Sequence, residues 1–195
     1  HEKLAIARAL LSEVRVDRIE VASARVSEGE KDAVKMICRY ARQKGRLESI
    51  EVLGFCDGHK SVDWIADCGG KVINLLSKGS LKHCTFQLKK TPEEHFAGII
   101  DEATYAREKG LAVNLYLEDW SNGMKDSPEY VYNMLDTLVP TGLVSRFMLP
   151  DTLGILNPKN SSLFFTTYSR VCGSRVMRRM VSPVTVFTAA RKTLL

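Results

Sequence analysis

Short β-branched runs alternate along this chain with longer stretches in which apolar residues recur every three or four positions. The runs predict buried strands, and the longer stretches predict amphipathic helices. The predicted strands are Val16–Ala22, Ile50–Phe55, Lys71–Leu76, Ala112–Leu117 and Ser145–Leu149. The predicted helices are Glu2–Val14, Ser27 to about Arg42, Ser61–Cys68, Thr91 to about Lys109, and Ser127 to about Leu138. Strands that alternate with helices in this way are typical of right-handed βαβ units, which build a parallel sheet.

Two of the predicted helices begin at capping sequences. Ser27-Glu28-Gly29-Glu30 is a capping box, in which the Ser27 hydroxyl accepts from the backbone three residues on and Glu30 reaches back. Thr91-Pro92-Glu93-Glu94 places a cap residue before a proline and an acid. These signals place the starts of the second and fourth predicted helices.

Two parallel architectures compete for this pattern. A doubly wound dinucleotide-binding sheet requires a glycine-rich turn after an early strand, and no G-x-G-x-x-G occurs here. A (β/α)₈ barrel instead assembles its site from polar residues at the carboxyl ends of its strands. Alternation in the fourth strand directs Asn114, Tyr116 and Glu118 to the barrel axis, and alternation in the first directs Glu20 there. Burying a carboxylate inside a barrel costs free energy unless the carboxylate binds a partner. Inward carboxylates near strand ends therefore indicate a site of the kind that a barrel builds there, and the pattern favours an α/β barrel.

The length and apolar content suit a globular domain. A chain of 195 residues, 45% of them hydrophobic and 26% charged, fits one domain or a large part of a barrel. No apolar run approaches the roughly 20 residues that span a bilayer. The first residues, His1-Glu2-Lys3-Leu4, lack the features of a signal peptide and an initiator methionine, so we expect that the chain begins inside a longer protein or was processed.

Cysteine usage indicates reduced thiols. The five cysteines are odd in number and contain no C-x-x-C pair, which argues against a disulfide framework and a zinc site of the usual spacing. We therefore expect a cytoplasmic protein with no membrane partner.

The positive net charge is confined to the C-terminal part of the chain. Of the 28 basic residues, seven lie in residues 151–195, where Asp151 is the one acid, although the formal net charge of the whole is +5. The rest of the chain is close to neutral. No electrostatic footprint for phosphate covers it, so we predict no nucleic-acid partner.

Four polar segments follow predicted strands and are the candidates for chemistry. They are Ile19-Glu20-Val21-Ala22-Ser23, Ser80-Leu81-Lys82-His83, Glu118-Asp119-Trp120-Ser121, and the run from Pro150-Asp151-Thr152-Leu153-Gly154 to Pro158. Each has an ordinary structural explanation, since an acidic pair can cap a turn and a glycine can supply an unusual φ angle. Four such segments at one end of one barrel favour a shared site over four separate coincidences.

The same segments carry a resemblance to a known family. The chain resembles the 2-isopropylmalate, homocitrate and citramalate synthases, which belong with HMG-CoA lyase to the pyruvate carboxyltransferase-like barrels. The matching motifs are Asp151-Thr152-Leu153-Gly154 with Pro158 for D-T-[VL]-G…P, Ser80 and His83 with Leu88-Lys89 and Thr91–Glu94 for S-x-x-H…L-K…S-x-E-E, Glu118-Asp119 for E-D, and Ile19-Glu20 for I-E. The resemblance covers about residues 1–158 with the order of units intact.

The resemblance implies a Claisen-type condensation of acetyl-CoA with a 2-oxo acid in branched-chain amino-acid biosynthesis. A divalent metal (Mg, Mn or Zn) polarises the ketone, and a base removes a proton from the acetyl methyl group. Glu118 and His83 would be catalytic. Glu20, Ser80, Asp151 and Thr152 would bind substrate, with Thr152 hydrogen-bonded to the oxo-acid carboxylate. The parent protein would be a homodimer.

Three departures from the family pattern accompany the match. The D-G-x-Q loop and the H-x-H motif that supply the family's metal ligands are absent, so we expect no metal ligand in this chain. The arginine that often follows E-D is missing, with Asn122 near its place. The loop Cys56-Asp57-Gly58-His59 also lacks the usual arginine.

The sequence thus predicts a partial (β/α)₈ TIM barrel, units two to six, in residues 1–158. Residues 159–195 form an atypical basic tail, which is either the product of a different reading frame or a junction artefact, or a divergent continuation of the family. The predicted function is an acyltransferase of the 2-isopropylmalate synthase type, with this chain itself inactive. The alternatives are a carbon–carbon lyase of the HMG-CoA lyase type and a non-catalytic fragment. Because the open barrel leaves unpaired edges, we expect the isolated chain to be marginally stable.

Overall fold

Five strands form one sheet in the computed structural model, which describes residues 2–157 together with Lys159 and Thr167. The strands are β1 (Ile19–Ser23), β2 (Ile50–Phe55), β3 (Val72–Lys78), β4 (Ala112–Glu118) and β5 (Val144–Met148). Their spatial order is β1-β2-β3-β4-β5, and β1 pairs parallel with β2, and β2 with β3. Each strand therefore lies beside its predecessor, as in the wall of a (β/α)₈ barrel. The predicted α/β class with parallel strands is confirmed.

Helices separate the strands along the chain. They are α1 (Glu2–Ala9), α2 (Glu28–Gln43), α3 (Lys60–Asp67), α4 (Pro92–Glu108), α5 (Trp120–Asp126) and α6 (Pro128–Leu138). A π-helical turn, Leu10–Val14, continues α1, and another covers His83–Gln87. Sequence analysis missed α5, a short helix that starts directly after β4. Its seven residues span barely two turns, too few for a periodic pattern to emerge.

The two predicted capping sequences begin α2 and α4. The backbone N–H of Glu30 donates to Ser27 Oγ at 3.2 Å, while the Glu30 carboxylate pairs with Lys3 at 2.5 Å. At α4 the box is reciprocal, because the N–H of Glu94 donates to Thr91 Oγ1 at 3.2 Å and the N–H of Thr91 donates to Glu94 Oε2 at 2.9 Å. Each such cap stabilises a helix start by about 1 kcal/mol.

The chain divides into two compact units, and the division falls within β3 and within β4. Unit 1 comprises His1–Leu76 and Asp101–Asn114, and unit 2 comprises Ser77–Ile100 and the residues from Leu115 onwards. The core of unit 1 is built from branched side chains of the sheet and of α2 and α3, all at most 1% exposed: Ile37, Ile50, Val52, Ile65 and Ile73. Burial of each such side chain stabilises the fold by roughly 1.5–3 kcal/mol.

Unit 2 has its own core around β4, α5 and α6. Leu115, Leu117, Trp120, Met134 and Leu135 are fully buried. The apolar residues of β4 that alternation predicted to lie beneath helices are thus buried. In the part of the chain that the structure describes, no helix is both long and apolar enough to cross a membrane. Of the predicted basic tail, all but Lys159 and Thr167 lies outside the described residues, and its boundary stays a prediction.

Candidate active site

A network of amides and carboxylates runs across the strands of unit 1. Asn74 Nδ2 donates to Glu20 Oε2 at 2.6 Å and to Glu51 Oε2 at 3.0 Å. Asn114 Nδ2 donates to Asn74 Oδ1 at 2.9 Å and to Glu51 Oε1 at 3.2 Å. Arg18 completes the set with an ion pair to Glu51 at 3.0 Å. Alternation thus assigned Asn114 and Glu20 correctly to a common polar face, and Asn74 and Glu51 join them there.

In unit 2, Asp119 is the residue at which three predicted segments meet. Asp119 is 4% exposed, and its carboxylate accepts from Ser80 Oγ at 2.8 Å. His83 Nε2 lies 3.5 Å from the same oxygen, Asp119 Oδ2. The backbone N–H of Asp119 donates to Thr152 Oγ1 at 3.1 Å. Asn122 Nδ2 donates to the other carboxylate oxygen at 2.7 Å. Residues separated by more than thirty positions in the chain are therefore joined through one buried carboxylate.

Two glycines allow this meeting. A Cβ on Gly123 would lie 1.9 Å from the carbonyl oxygen of Gly79, and a Cβ on Gly79 would lie 2.5 Å from the carbonyl oxygen of Leu117. Neither position has room for a side chain. The close approach brings the start of α5 against the turn after β3, which carries Ser80. Asp119 itself adopts a left-handed conformation, with φ 65°, as α5 begins.

Glu118, the last residue of β4, is held by an ion pair with Lys78 at the end of β3. The carbonyl oxygen of Lys78 accepts from Tyr130 Oη at 3.1 Å, and Tyr130 Oη lies 2.7 Å from His95 Nδ1. Since the tyrosine donates to Lys78, His95 Nδ1 carries a proton and donates to Tyr130. Burial, with a smaller contribution from Lys90 and Lys78, lowers the pKa of His95 to about 4, so this ring is neutral at pH 7.

Asp151 organises the loop that carries Thr152. Its carboxylate accepts from Ser121 Oγ at 2.7 Å and from the backbone N–H groups of Ile155 at 3.0 Å and Leu156 at 2.9 Å. Burial pushes the pKa of Asp151 upward, but these hydrogen bonds outweigh it and hold the pKa below its usual value. The loop is thereby fixed, while the Thr152 side chain stays exposed.

A pocket of about 490 Å³ lies entirely within unit 2 beside Asp119, and Glu118, Asp151 and Thr152 are not among the residues that line it. Its polar lining includes Ser80, His83, Asp119, Asn122 and Ser127. Its apolar lining consists of three exposed side chains, Leu81, Phe86 and Leu153. The size and the mixed lining are those of a small-molecule site.

Sequence comparisons identify the family and the relatives of this chain. The HMGL-like family matches residues 1–178 of the 195. This chain belongs to the HMGL-like family. Its relatives include the 2-isopropylmalate synthase of Sulfurisphaera tokodaii, 31% identical over 80% of this chain and 38% of that protein. The (R)-citramalate synthase CimA of Methanocaldococcus jannaschii is 27% identical over 85% of this chain and 32% of that protein.

Solved structures show the fold of this HMGL-like chain. The hydroxymethylglutaryl-CoA lyase of Pseudomonas aeruginosa superposes with a TM-score of 0.68 at 16% identity, covering 90% of this chain and 58% of the lyase. The similarity confirms the predicted TIM-barrel fold. The chain spans about a third of the length of the curated relatives that it matches.

The structure places five of the six predicted site residues in unit 2. They are Ser80, His83, Glu118, Asp151 and Thr152. Glu20 belongs to unit 1, where it accepts from Asn74, and its predicted place beside the others stays a prediction. Sequence reasoning noted the pair Glu118-Asp119 but assigned a role to Glu118 alone. The position of Asp119 directly after Glu118, at the end of a predicted strand, was the signal that could have identified it.

A divalent metal, as the family resemblance implies, does not fit the described residues. Among residues 2–157, 159 and 167, no group of three His, Cys, Asp or Glu side chains is arranged to hold a metal ion. In unit 2 the Asp119 and Asp151 carboxylates accept from hydroxyl, amide and backbone donors.

Proposed function

We propose that this chain carries part of the active site of an acyltransferase that condenses acetyl-CoA with a 2-oxo acid. The observation that carries the proposal is the meeting of Ser80, His83 and Thr152 at Asp119, beside a pocket of about 490 Å³. The named activities of the 2-isopropylmalate and citramalate synthase relatives support it.

Glu118 is the proposed base. Its carboxylate takes a proton from the methyl group of acetyl-CoA, and the resulting enolate carbon forms a bond to the ketone carbon of the 2-oxo acid. The ketone oxygen becomes an alkoxide and then takes a proton. Water hydrolyses the thioester and releases CoA as a thiol. The ion pair with Lys78 holds the Glu118 carboxylate in a defined position for the first step.

Thr152 is the proposed contact for the carboxylate of the 2-oxo acid. Its Oγ1 accepts from the backbone of Asp119, which leaves the hydroxyl hydrogen available to donate to a ligand. Ser80 and Asp151 support the substrate through the residues that they position, since Ser80 donates to Asp119 and Asp151 orders the loop of Thr152. The exposed Phe86 and Leu153 offer apolar surface to the organic part of a substrate.

Two alternatives remain from the sequence analysis. A carbon–carbon lyase would run the reverse type of reaction in the same fold, but the likeness to hydroxymethylglutaryl-CoA lyase, at 16% identity, concerns the fold alone. A non-catalytic role is the second alternative.

A coupled assay separates these possibilities. The purified chain is mixed with Mg²⁺ or Mn²⁺, acetyl-CoA and pyruvate, 2-oxobutanoate or 2-oxoisovalerate, and the released thiol is measured. Thiol release would show that this chain is active although its sequence predicts it to be inactive, and E118Q should reduce that release by at least about 100-fold, the usual worth of a general base. The matched control is E129Q, an exposed glutamate of α6, which should retain wild-type turnover. Cleavage of hydroxymethylglutaryl-CoA without condensation would favour the lyase. Condensation would refute the non-catalytic role, whereas no turnover with any oxo acid agrees both with that role and with the inactivity predicted for this chain.

A further inference from the structure

The two ring nitrogens of His83 lie in different surroundings. Nδ1 is buried and has no hydrogen-bond partner among the residues that the structure describes. Nε2 lies 3.5 Å from Asp119 Oδ2, and the side chain, 23% exposed, lines the pocket of unit 2. Because Nδ1 is enclosed, Nε2 is the ring nitrogen that a ligand in the pocket can reach.

This asymmetry determines where the proton of a neutral ring lies. Nδ1 lacks a partner whether or not it carries the proton, so its desolvation cost does not separate the two tautomers. With the proton on Nδ1, the lone pair of Nε2 would face the Asp119 carboxylate. A proton on Nε2 points towards a carboxylate. The neutral ring is therefore most stable with its proton on Nε2, and in that form Nε2 donates and does not accept.

Asp119 is built to hold that proton in place. Ser80 Oγ donates to its Oδ2 at 2.8 Å and Asn122 Nδ2 donates to its Oδ1 at 2.7 Å, so both oxygens are fixed in direction. A carboxylate has about four acceptor positions, which leaves Oδ2 able to accept from the imidazole as well. The distance of 3.5 Å is longer than a formed hydrogen bond, so Nε2–H remains available to a second acceptor.

We propose that His83 acts as a hydrogen-bond donor through Nε2, and that Asp119 is the positioning residue that keeps the proton there. The acceptor is an oxygen of the substrate that gains negative charge during the reaction. The identity of that oxygen, the ketone or thioester oxygen, rests on the proposed function. Glu118 and His83 then have separate tasks, because the carboxylate removes the proton and the imidazole stabilises the charge that follows.

The tautomer of His83 tests this inference without any substrate. In the chain labelled with ¹⁵N-histidine, long-range ¹H–¹⁵N spectra at about pH 8, where an ordinary imidazole is neutral, distinguish protonated from unprotonated ring nitrogens. H83Q assigns the signal. We expect one tautomer in the wild type, with the proton on Nε2. A proton on Nδ1, or an even mixture, would overturn the proposal.

The variant D119N tests the positioning role. Asn122 donates to Oδ1, so the amide of D119N should place its oxygen there and its NH₂ group towards Nε2. We expect the Nε2 proton population to fall below one half, because Nε2 now faces a donor. The matched control D126N changes an exposed carboxylate of the same pocket and should leave the tautomer unchanged. Unshifted signals of His59 and His95 confirm that the fold is retained.

An unchanged His83 tautomer in folded D119N would refute the role of Asp119. If D119N does not fold, the wild-type tautomer alone still decides whether His83 is a donor. Neither tautomer measurement depends on turnover, so a failure of the condensation assay is distinguishable from a failure of this inference.

Discussion

Both units gather polar side chains from their strands, but the two clusters differ in what they leave unpaired. In unit 1, Asn74 and Asn114 are 0% and 2% exposed, and they bridge Glu20 and Glu51 in a connected network. In unit 2, the cluster at Asp119 leaves one ring nitrogen of His83 without a partner and borders a pocket. The described pocket beside Glu20 measures about 120 Å³ and is mostly apolar.

The comparison shows that inward carboxylates do not by themselves mark a site. The amides of Asn74 and Asn114 satisfy the Glu51 carboxylate, so its burial is explained by structure, and Glu20 beside it is exposed. The cluster of unit 2 combines an unsatisfied atom with space for a ligand, and structure alone does not explain that combination. Five changes test this distinction, from the largest expected effect to the smallest.

Replacing Gly123 should break the cluster of unit 2. In G123A the new Cβ would overlap the carbonyl oxygen of Gly79, 1.9 Å away, and backbone must shift. We expect a loss of more than about 4 kcal/mol in the free energy of unfolding, or no folded protein. The control G98A lies in α4, where the nearest atom is Lys90 Nζ at 3.6 Å, and should change stability by no more than about 1 kcal/mol. Equal stability of the two variants in urea would contradict the close approach.

A charge introduced into the network of unit 1 should be the next most damaging change. N74D replaces the amide that donates to Glu20 and Glu51 with a carboxylate of the same shape. We expect a loss of about 3 kcal/mol at neutral pH, because a buried charge meets like charges, and a smaller loss in acid. The matched control N122D faces one carboxylate in a half-buried position and should lose less. Denaturant titration of both variants at pH 7 and pH 5 measures the difference.

Acidification should weaken unit 2 through His95. The pKa of this buried ring is about 4 in the folded chain and 6.5 ordinarily, so between these values the unfolded chain binds the proton more tightly. The contribution of the neutral His95 ring to the free energy of unfolding is fully present above pH 6.5. It is lost as the pH falls towards 4, and the loss amounts to roughly 3 kcal/mol. Urea unfolding across this range should show a steeper decline for the wild type than for H95Q, which cannot titrate. Parallel curves would show that His95 is not the cause.

Removing the charge of Glu102 should stabilise unit 1. Burial raises the pKa of this carboxyl, and among the described residues its Oε1 has no hydrogen-bond partner. Because this carboxyl ionises less readily in the folded than in the unfolded chain, its ionisation lowers the free energy of unfolding as the pH rises. E102Q should therefore gain about 1 kcal/mol in the free energy of unfolding at neutral pH and little in acid. E108Q, at an exposed position of the same helix, provides the control for thermal unfolding. A destabilised E102Q would indicate that the carboxylate is needed.

Replacing His83 should have the smallest effect on stability. One ring nitrogen has no described partner and the other lies 3.5 Å from Asp119, so H83Q removes no well-formed hydrogen bond of the ring. We expect a change within about 0.5 kcal/mol, in contrast to N74D. A loss above about 2 kcal/mol in chemical denaturation would assign His83 to structure and remove the difference between the two clusters.

Much of the fold was predictable because its signals are local. The capping sequences of α2 and α4, and the β-branched runs, place the elements within a few residues, although β1 begins at Ile19 where the pattern placed Val16. Alternation also placed Asn114 and Glu20 on a polar face. In contrast, the sequence pattern did not predict α5, because a helix of seven residues is too short to show a periodic repeat of apolar positions.

The sequence alone determined the order of strands and helices, the parallel sheet and the segments in which chemistry is to be sought. Tertiary structure alone decided which polar residues satisfy one another. Ser80 and Asp119 are 39 positions apart and Asp119 and Thr152 are 33 apart, and they meet because Gly79 and Gly123 permit two backbones to touch. Periodicity reports the direction of a side chain relative to its own element, whereas a hydrogen bond depends on the position of a second element that the local pattern does not encode.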